Sequence, residues 1–146
     1  EGWASYAQFY SAKYFEGTET EKTAYKASCL YDKAMLYLST MIDIEINYYG
    51  RTLAQLQQDQ FYSQIFDGSE SSIERYNYMV QNPAVYASYG YGNYKMEQLR
   101  SEFDGTDLEF HTAVLSVGPT TYEILADHVL GRIEEGRNGS IFGWLF

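Results

Sequence analysis

The stretch that decides the fold runs from Thr18 to Gly50, TETEKTAYKASCLYDKAMLYLSTMIDIEINYYG. It contains no proline, and its first glycine is Gly50. Apolar residues return through it at helical rather than alternating spacing, at Tyr25, Leu30, Ala34, Leu38, Met41 and Ile42, with Glu45 near the end. Side chains three or four residues apart share one face of a helix, so this pattern predicts a single amphipathic helix of about eight turns. Thr18 followed three residues later by Glu21 has the spacing of a capping box, which marks the start, and Gly50 marks the end.

The same signals extend outward in both directions. On the amino-terminal side, EGWASYAQFYSAKYF sets Trp3, Tyr6, Ala7, Tyr10 and Tyr14 on one face and predicts a helix closed by Gly17. On the other side, Thr52 with Gln55 opens LAQLQQDQFYSQIF, and Ser71 with Glu74 opens IERYNYMVQ. Pro83 is suited to the first turn of a helix reaching Phe103, because its missing N–H costs nothing there. Gly90 and Gly92 inside that helix disfavour it by roughly 1 kcal/mol each, so they predict a close approach by another helix or a ligand. Asp107 is the expected cap of LEFHTAVLSV, and Thr120 with Glu123 of a last helix through Ile133. The reading is all-α, a helical bundle of six or seven helices in one domain over 1–146, with an apolar tail at 136–146.

Charge and composition narrow the function. Twenty acidic against ten basic residues give a net charge of −10, and no basic stripe is available to grip polyphosphate, which argues against nucleic acid. With a mean hydropathy of −0.41 and no long apolar run, no membrane span is expected. The single cysteine, Cys29, cannot form an intramolecular disulfide and reads as a buried thiol. Sixteen tyrosines are spread along the chain as core and cleft material. The chain opens at Glu1 inside a helical pattern, which is the expectation for a piece of something longer.

Self-contained catalytic signatures are missing. His111 and His128 have no second histidine or cysteine at a metal-ligand spacing, and there is no phosphate loop, nucleophile elbow or cysteine pair. What remains is carboxylates on helices (Glu1, Asp43, Glu45, Glu74), Arg75-Tyr76, Tyr89 and His111. Taken singly, each reads as an ordinary solvated or salt-bridged residue.

Taken together they carry a resemblance. Glu1-Gly2-Trp3-Ala4-Ser5-Tyr6 is similar to EGWALY of the bacterial domain of unknown function 885 family, whose members look like largely helical, zinc-dependent metallopeptidases. Met41-Ile42-Asp43 with Ile46 resembles that family's VVDTGIH, Glu74-Arg75-Tyr76 its ERY, and PAVYASYGYG from Pro83 to Gly92 its PGQALSYKIG. Gln98-Leu99-Arg100, Phe110-His111, Leu115, Gly118-Pro119 and Leu125 are similar to its later LR, FH, LL and G-PL-L pattern. The likeness keeps family order over nearly the whole chain.

The resemblance implies the carboxy-terminal, cleft-forming part of a zinc peptidase within a larger, mostly helical fold. Glu1 would be the metal ligand, with Tyr89, His111 and Arg75 as the groups that stabilise charge on a peptide carbonyl. Trp3 reads as core packing beside the site. The HExxH-type helix with its two histidines is not in this chain, so zinc belongs to the full-length parent, and the isolated piece is expected to bind none tightly and to be inactive. Implied partners are the amino-terminal half of the parent and a peptide substrate, and an extracytoplasmic or lipoprotein-anchored parent is favoured over a cytoplasmic one. A homodimer, or an apolar tail folded on its own chain, is the expected fate of the exposed aromatic face. Departures fall at Asn47 (family His), Ala84-Val85 (family Gly-Gln) and Arg51 (family Trp). The rival reading is a non-catalytic helical module whose aromatic groove holds peptide or sugar.

Overall fold

A computed structural model describes residues 1–131, and among them every regular element is helical. Seven α-helices follow in order: α1 Gly2–Tyr10, α2 Glu19–Asn47, α3 Leu53–Gln58, α4 Glu70–Gln81, α5 Val85–Glu102, α6 Asp107–Val117 and α7 Tyr122–Val129. Short 3₁₀ turns stand at Ser11–Lys13 and Tyr62–Gln64. The all-α class read from the periodicity therefore holds. Backbone contacts gather into two units, Glu1–Met96 and Glu97–Phe146, so α5 gives its first residues to one and its last to the other. No described helix is long and apolar enough to cross a membrane.

The long helix α2 starts where the sequence places it. Glu21 N–H donates to Thr18 Oγ1 at 3.3 Å while Thr18 N–H donates to Glu21 Oε2 at 2.8 Å, which satisfies two otherwise orphaned donors. The Thr18 hydroxyl also donates to Glu21 Oε2, at 2.7 Å, and this bond with that of the Thr18 N–H holds the Glu21 carboxyl below its usual range. Thr52 and Gln55 form the same box at the start of α3. Cys29 is buried, as expected.

Elsewhere the helix limits differ from the sequence reading, each time for a local reason. α1 closes at Tyr10 because Ser11 Oγ bonds back to Gln8 O at 2.6 Å and the chain tightens into a 3₁₀ turn. α3 stops at Gln58 because Asp59 takes up an extended conformation. From there its carboxylate accepts from Phe61 N at 2.8 Å and Tyr62 N at 3.1 Å, opening the next turn. Ser69, not Ser71, caps α4, and the Ser71–Glu74 box does not form. Thr106 with Glu109 caps α6, while Asp107 turns back to pair with Arg100 at 2.7 Å. Thr121, not Thr120, caps α7. Its expected extension to Ile133 and the apolar tail at 136–146 lie outside the described residues.

The first unit is built on α2. Ile42, Ile46, Leu56, Tyr62, Phe66 and Met79 form its buried cluster, with Leu38, Tyr76 and Tyr86 packed against it. Arg51 ties the α2–α3 corner to that core: it pairs with Glu45 at 3.2 Å and Asp59 at 2.8 Å, and its guanidinium lies over the Tyr62 ring. The position where the family pattern has tryptophan is thus filled by a structural ion-pair hub. In the second unit, Leu99, Phe110, Val114, Ala126 and Val129 are buried, and Phe103 packs on Phe110 with centroids 5.6 Å apart.

Candidate functional site

The elements of the first unit that carry candidate residues meet through small side chains. A Cβ on Gly92 would stand 2.7 Å from Gly2 Cα, and one on Gly2 would stand 2.6 Å from the Gly92 backbone, so α1 and α5 touch backbone to backbone. Two residues earlier on α5, Gly90 lies directly on Thr40 of α2. The close approach expected at Gly90 and Gly92 is an approach by helices.

Two α2 residues, Asp43 and Thr40, grip the start of α5. Asp43, only 1% exposed, accepts hydrogen bonds from Ala84 N at 3.1 Å, Tyr86 N at 2.9 Å and Ala87 N at 3.2 Å. A fourth bond comes from Asn47 Nδ2 at 2.7 Å, and Asn47 Nδ2 also donates to Met79 O at 3.0 Å. A buried carboxylate needs such a donor set, and the positive end of the α5 dipole favours its charge. The single proton of the Thr40 hydroxyl is shared between Tyr86 O at 2.8 Å and Leu36 O at 2.9 Å. Helix α5 consequently has no cap of its own: Pro83 lies outside it, and Ala84 enters with a left-handed φ of 64°. Further along, the buried Asn93 accepts from Tyr37 Oη at 2.7 Å.

This packing brings two of the sequence-chosen residues together. The Tyr89 hydroxyl donates to the Glu1 carboxylate, and that bond together with the Glu1 charge pushes the Tyr89 phenol above its ordinary value. Both groups are open to solvent, Glu1 at the head of α1 and Tyr89 half-buried on α5. Trp3, partly buried, stacks towards Tyr6 with centroids 5.6 Å apart and packs as expected. Arg75 is exposed on α4, with no hydrogen bond to Glu1 or Tyr89. His111 belongs to the second unit, where its ring lies edge-on to Phe110 at 5.7 Å.

Beside the start of α5 opens a mainly apolar cleft of about 850 Å³, lined by Ile44, Tyr48, Tyr49, Pro83, Ala87 and Tyr91 among others. Tyr48 and Tyr49 pack edge to face 5.0 Å apart, and both are well exposed. Tyr49 and Tyr91 drew no attention in the sequence as functional residues, because one lies past the helix end and the other is one tyrosine among many.

Among the described residues no group of three His, Cys, Asp or Glu side chains could hold a metal ion. Glu1 offers one carboxylate, where a catalytic zinc takes three protein ligands. The described residues do not by themselves fit zinc. Comparison with protein-family models, with curated proteins and with solved structures finds no match for this chain.

Proposed function

We propose that this chain is the carboxy-terminal, cleft-forming part of a zinc-dependent peptidase of the domain of unknown function 885 kind. Glu1 is its contribution to the metal site, and Tyr89 is the hydroxyl beside it. The observation that carries the reading is the backbone contact of Gly2 with Gly92, which brings the head of α1, with Glu1, against the turn of α5 that carries Tyr89. A carboxylate destined for a metal is oriented by a hydrogen-bond donor behind it, and Tyr89 is such a donor, anchored on α5 by the Gly2–Gly92 contact. The histidine ligands and the general base would come from the amino-terminal half of the parent, the implied partner. Arg75 and His111 are offered as stabilisers of charge on a peptide carbonyl by the resemblance alone.

The test is zinc titration of the full-length polypeptide, unmodified and as E1Q and Y89F. Y89F is expected to weaken zinc binding about 10–100-fold, the usual effect of losing a partner behind a metal ligand. E1Q should weaken it at least as much. Unchanged zinc affinity in both variants would remove the reading. The cleft around Tyr48, Tyr49 and Tyr91 favours a second reading, a non-catalytic module that stacks peptide or sugar on aromatic faces. It predicts ligand binding to this chain alone that is lost in Y48A and untouched by E1Q.

A further inference from the structure

Asp43 is a fully buried carboxylate that the proposed chemistry does not use, and it is held by four hydrogen bonds. Burying an ionised group is repaid only by a donor set as complete as this one, so its placement needs a reason. The bonds show where the restraint acts. Asp43 takes the N–H of Tyr86, and Thr40, one turn earlier on α2, gives its hydroxyl to the C=O of the same residue. One residue of α5 is thereby gripped from both ends of its backbone. This fixes how far α5 slides along α2 and how it rotates about its own axis. The next turn of α5 carries Tyr89, and Gly90 seats that turn on Thr40. Gly92 then receives Gly2, the neighbour of Glu1.

We infer that Asp43, acting with Thr40, is the positioning residue of the site: its grip on residues 84–87 sets the Tyr89 hydroxyl against the Glu1 carboxylate. The inference deepens the proposed function and rests on the Glu1–Tyr89 pair being the site. Asp43 touches neither residue directly and acts through the start of α5. Asn47 belongs to the same device, since its amide links Asp43 to the end of α4 at Met79. An asparagine at 43 could still accept through one oxygen, but its NH2 group would face backbone N–H donors, so the grip on Tyr86 and Ala87 would be lost.

The test places 3-fluorotyrosine at position 89 alone and reads its fluorine resonance in the unmodified protein and in D43N, T40V and E1Q, with circular dichroism to check that the helices persist. E1Q should shift the resonance in the unmodified background. In D43N the resonance should move to that of a solvent-exposed fluorotyrosine, and the E1Q shift should disappear. T40V, which keeps the shape of the side chain and removes its hydroxyl, should reduce the E1Q shift and decides the question if D43N does not fold. A Tyr89 resonance unmoved in folded D43N, or in T40V where D43N is unfolded, overturns the inference. If E1Q has no effect in the unmodified protein while D43N still moves Tyr89, the Glu1–Tyr89 reading falls and the positioning by Asp43 stands.

Discussion

Replacing Gly90 by alanine tests the α2–α5 contact most directly. A methyl group there would overlap Thr40 Oγ1 and stand 3.0 Å from Thr40 Cβ and 3.4 Å from Leu36 O. Thr40 is buried and β-branched in a helix, so it has few other rotamers to escape into. Alanine regains about 1 kcal/mol of helix preference. Against that stand overpacking of about 2 kcal/mol and loss of the Thr40 hydroxyl bond to Tyr86 O, about 1 kcal/mol. The net is a destabilisation of about 2 kcal/mol, or roughly 4–8 °C in Tm for a chain of this size. T40A alone should cost about 1 kcal/mol. In T40A/G90A the new methyl occupies space that Thr40 has vacated, so the double variant should lose at most about 1 kcal/mol rather than the roughly 3 kcal/mol of simple addition. Urea unfolding followed at 222 nm gives all three values. Additivity of the two single costs within about 0.5 kcal/mol would show that residues 40 and 90 do not touch.

Ala84 holds a left-handed φ at an exposed position, so A84G should stabilise by about 0.5–1 kcal/mol, the relief of strain outweighing glycine's extra freedom in the unfolded chain; a lower urea midpoint in A84G would contradict this. Asp59 is pulled down to about 2, chiefly by the bond from Arg51 and then by the Tyr62 and Phe61 amides. Its folded value lies below its unfolded one, so its contribution is complete above about pH 4 and disappears as pH falls through about 2. D59N should therefore flatten the acid limb of the stability curve over that window, and an unchanged limb would remove Asp59 from the account. Substituting Arg100 by methionine should loosen the second unit alone, through loss of the Asp107 pair and of the guanidinium over Phe110; amide exchange should quicken in α6 and stay unchanged in α2.

What the sequence made legible is what is local. The Thr18–Glu21 and Thr52–Gln55 boxes close within three residues, and α2 needs no neighbour to be recognised as a helix. Where a local reading failed, tertiary partners decided. Asp107, the expected cap of α6, was taken by Arg100, and Thr106 with Glu109 caps the helix instead. Asp59 could have continued α3, and its bonds to Arg51 and to the Phe61 and Tyr62 amides ended it. Pro83 put the start of α5 two residues early, and its cap was not readable, because it comes from Asp43, forty-one residues before Ala84. Nothing in a window of sequence announces such a bond, and Pro83 supplied a plausible but different beginning. Tyr89 and Glu1 are further apart still, and only the family resemblance named them together.

Four of the segments that carry that resemblance, residues 1–6, 41–46, 74–76 and 83–92, lie in the first unit, and their residues divide by what they touch. Gly2, Asp43, Gly90 and Gly92 face other helices: each lets two backbones approach or satisfies one backbone's donors. Any chain that packed three helices this closely would need residues of these kinds, whatever it catalysed, so their likeness to a motif speaks to architecture. Glu1 and Tyr89 are different. Both remain open to solvent, and the bond between them is not needed to fill the core. Asn47 falls on the architectural side: where the family pattern has histidine, its amide holds Asp43 and Met79 O together, a task that needs one neutral double donor. The chemical content of the resemblance thus rests, within this unit, on Glu1 and the half-buried Tyr89, on turns held by a buried carboxylate, and on Arg75, exposed on α4. Substitutions at Glu1 and Tyr89 should change function and spare stability, while those at Gly2, Gly90 and Gly92 should do the reverse.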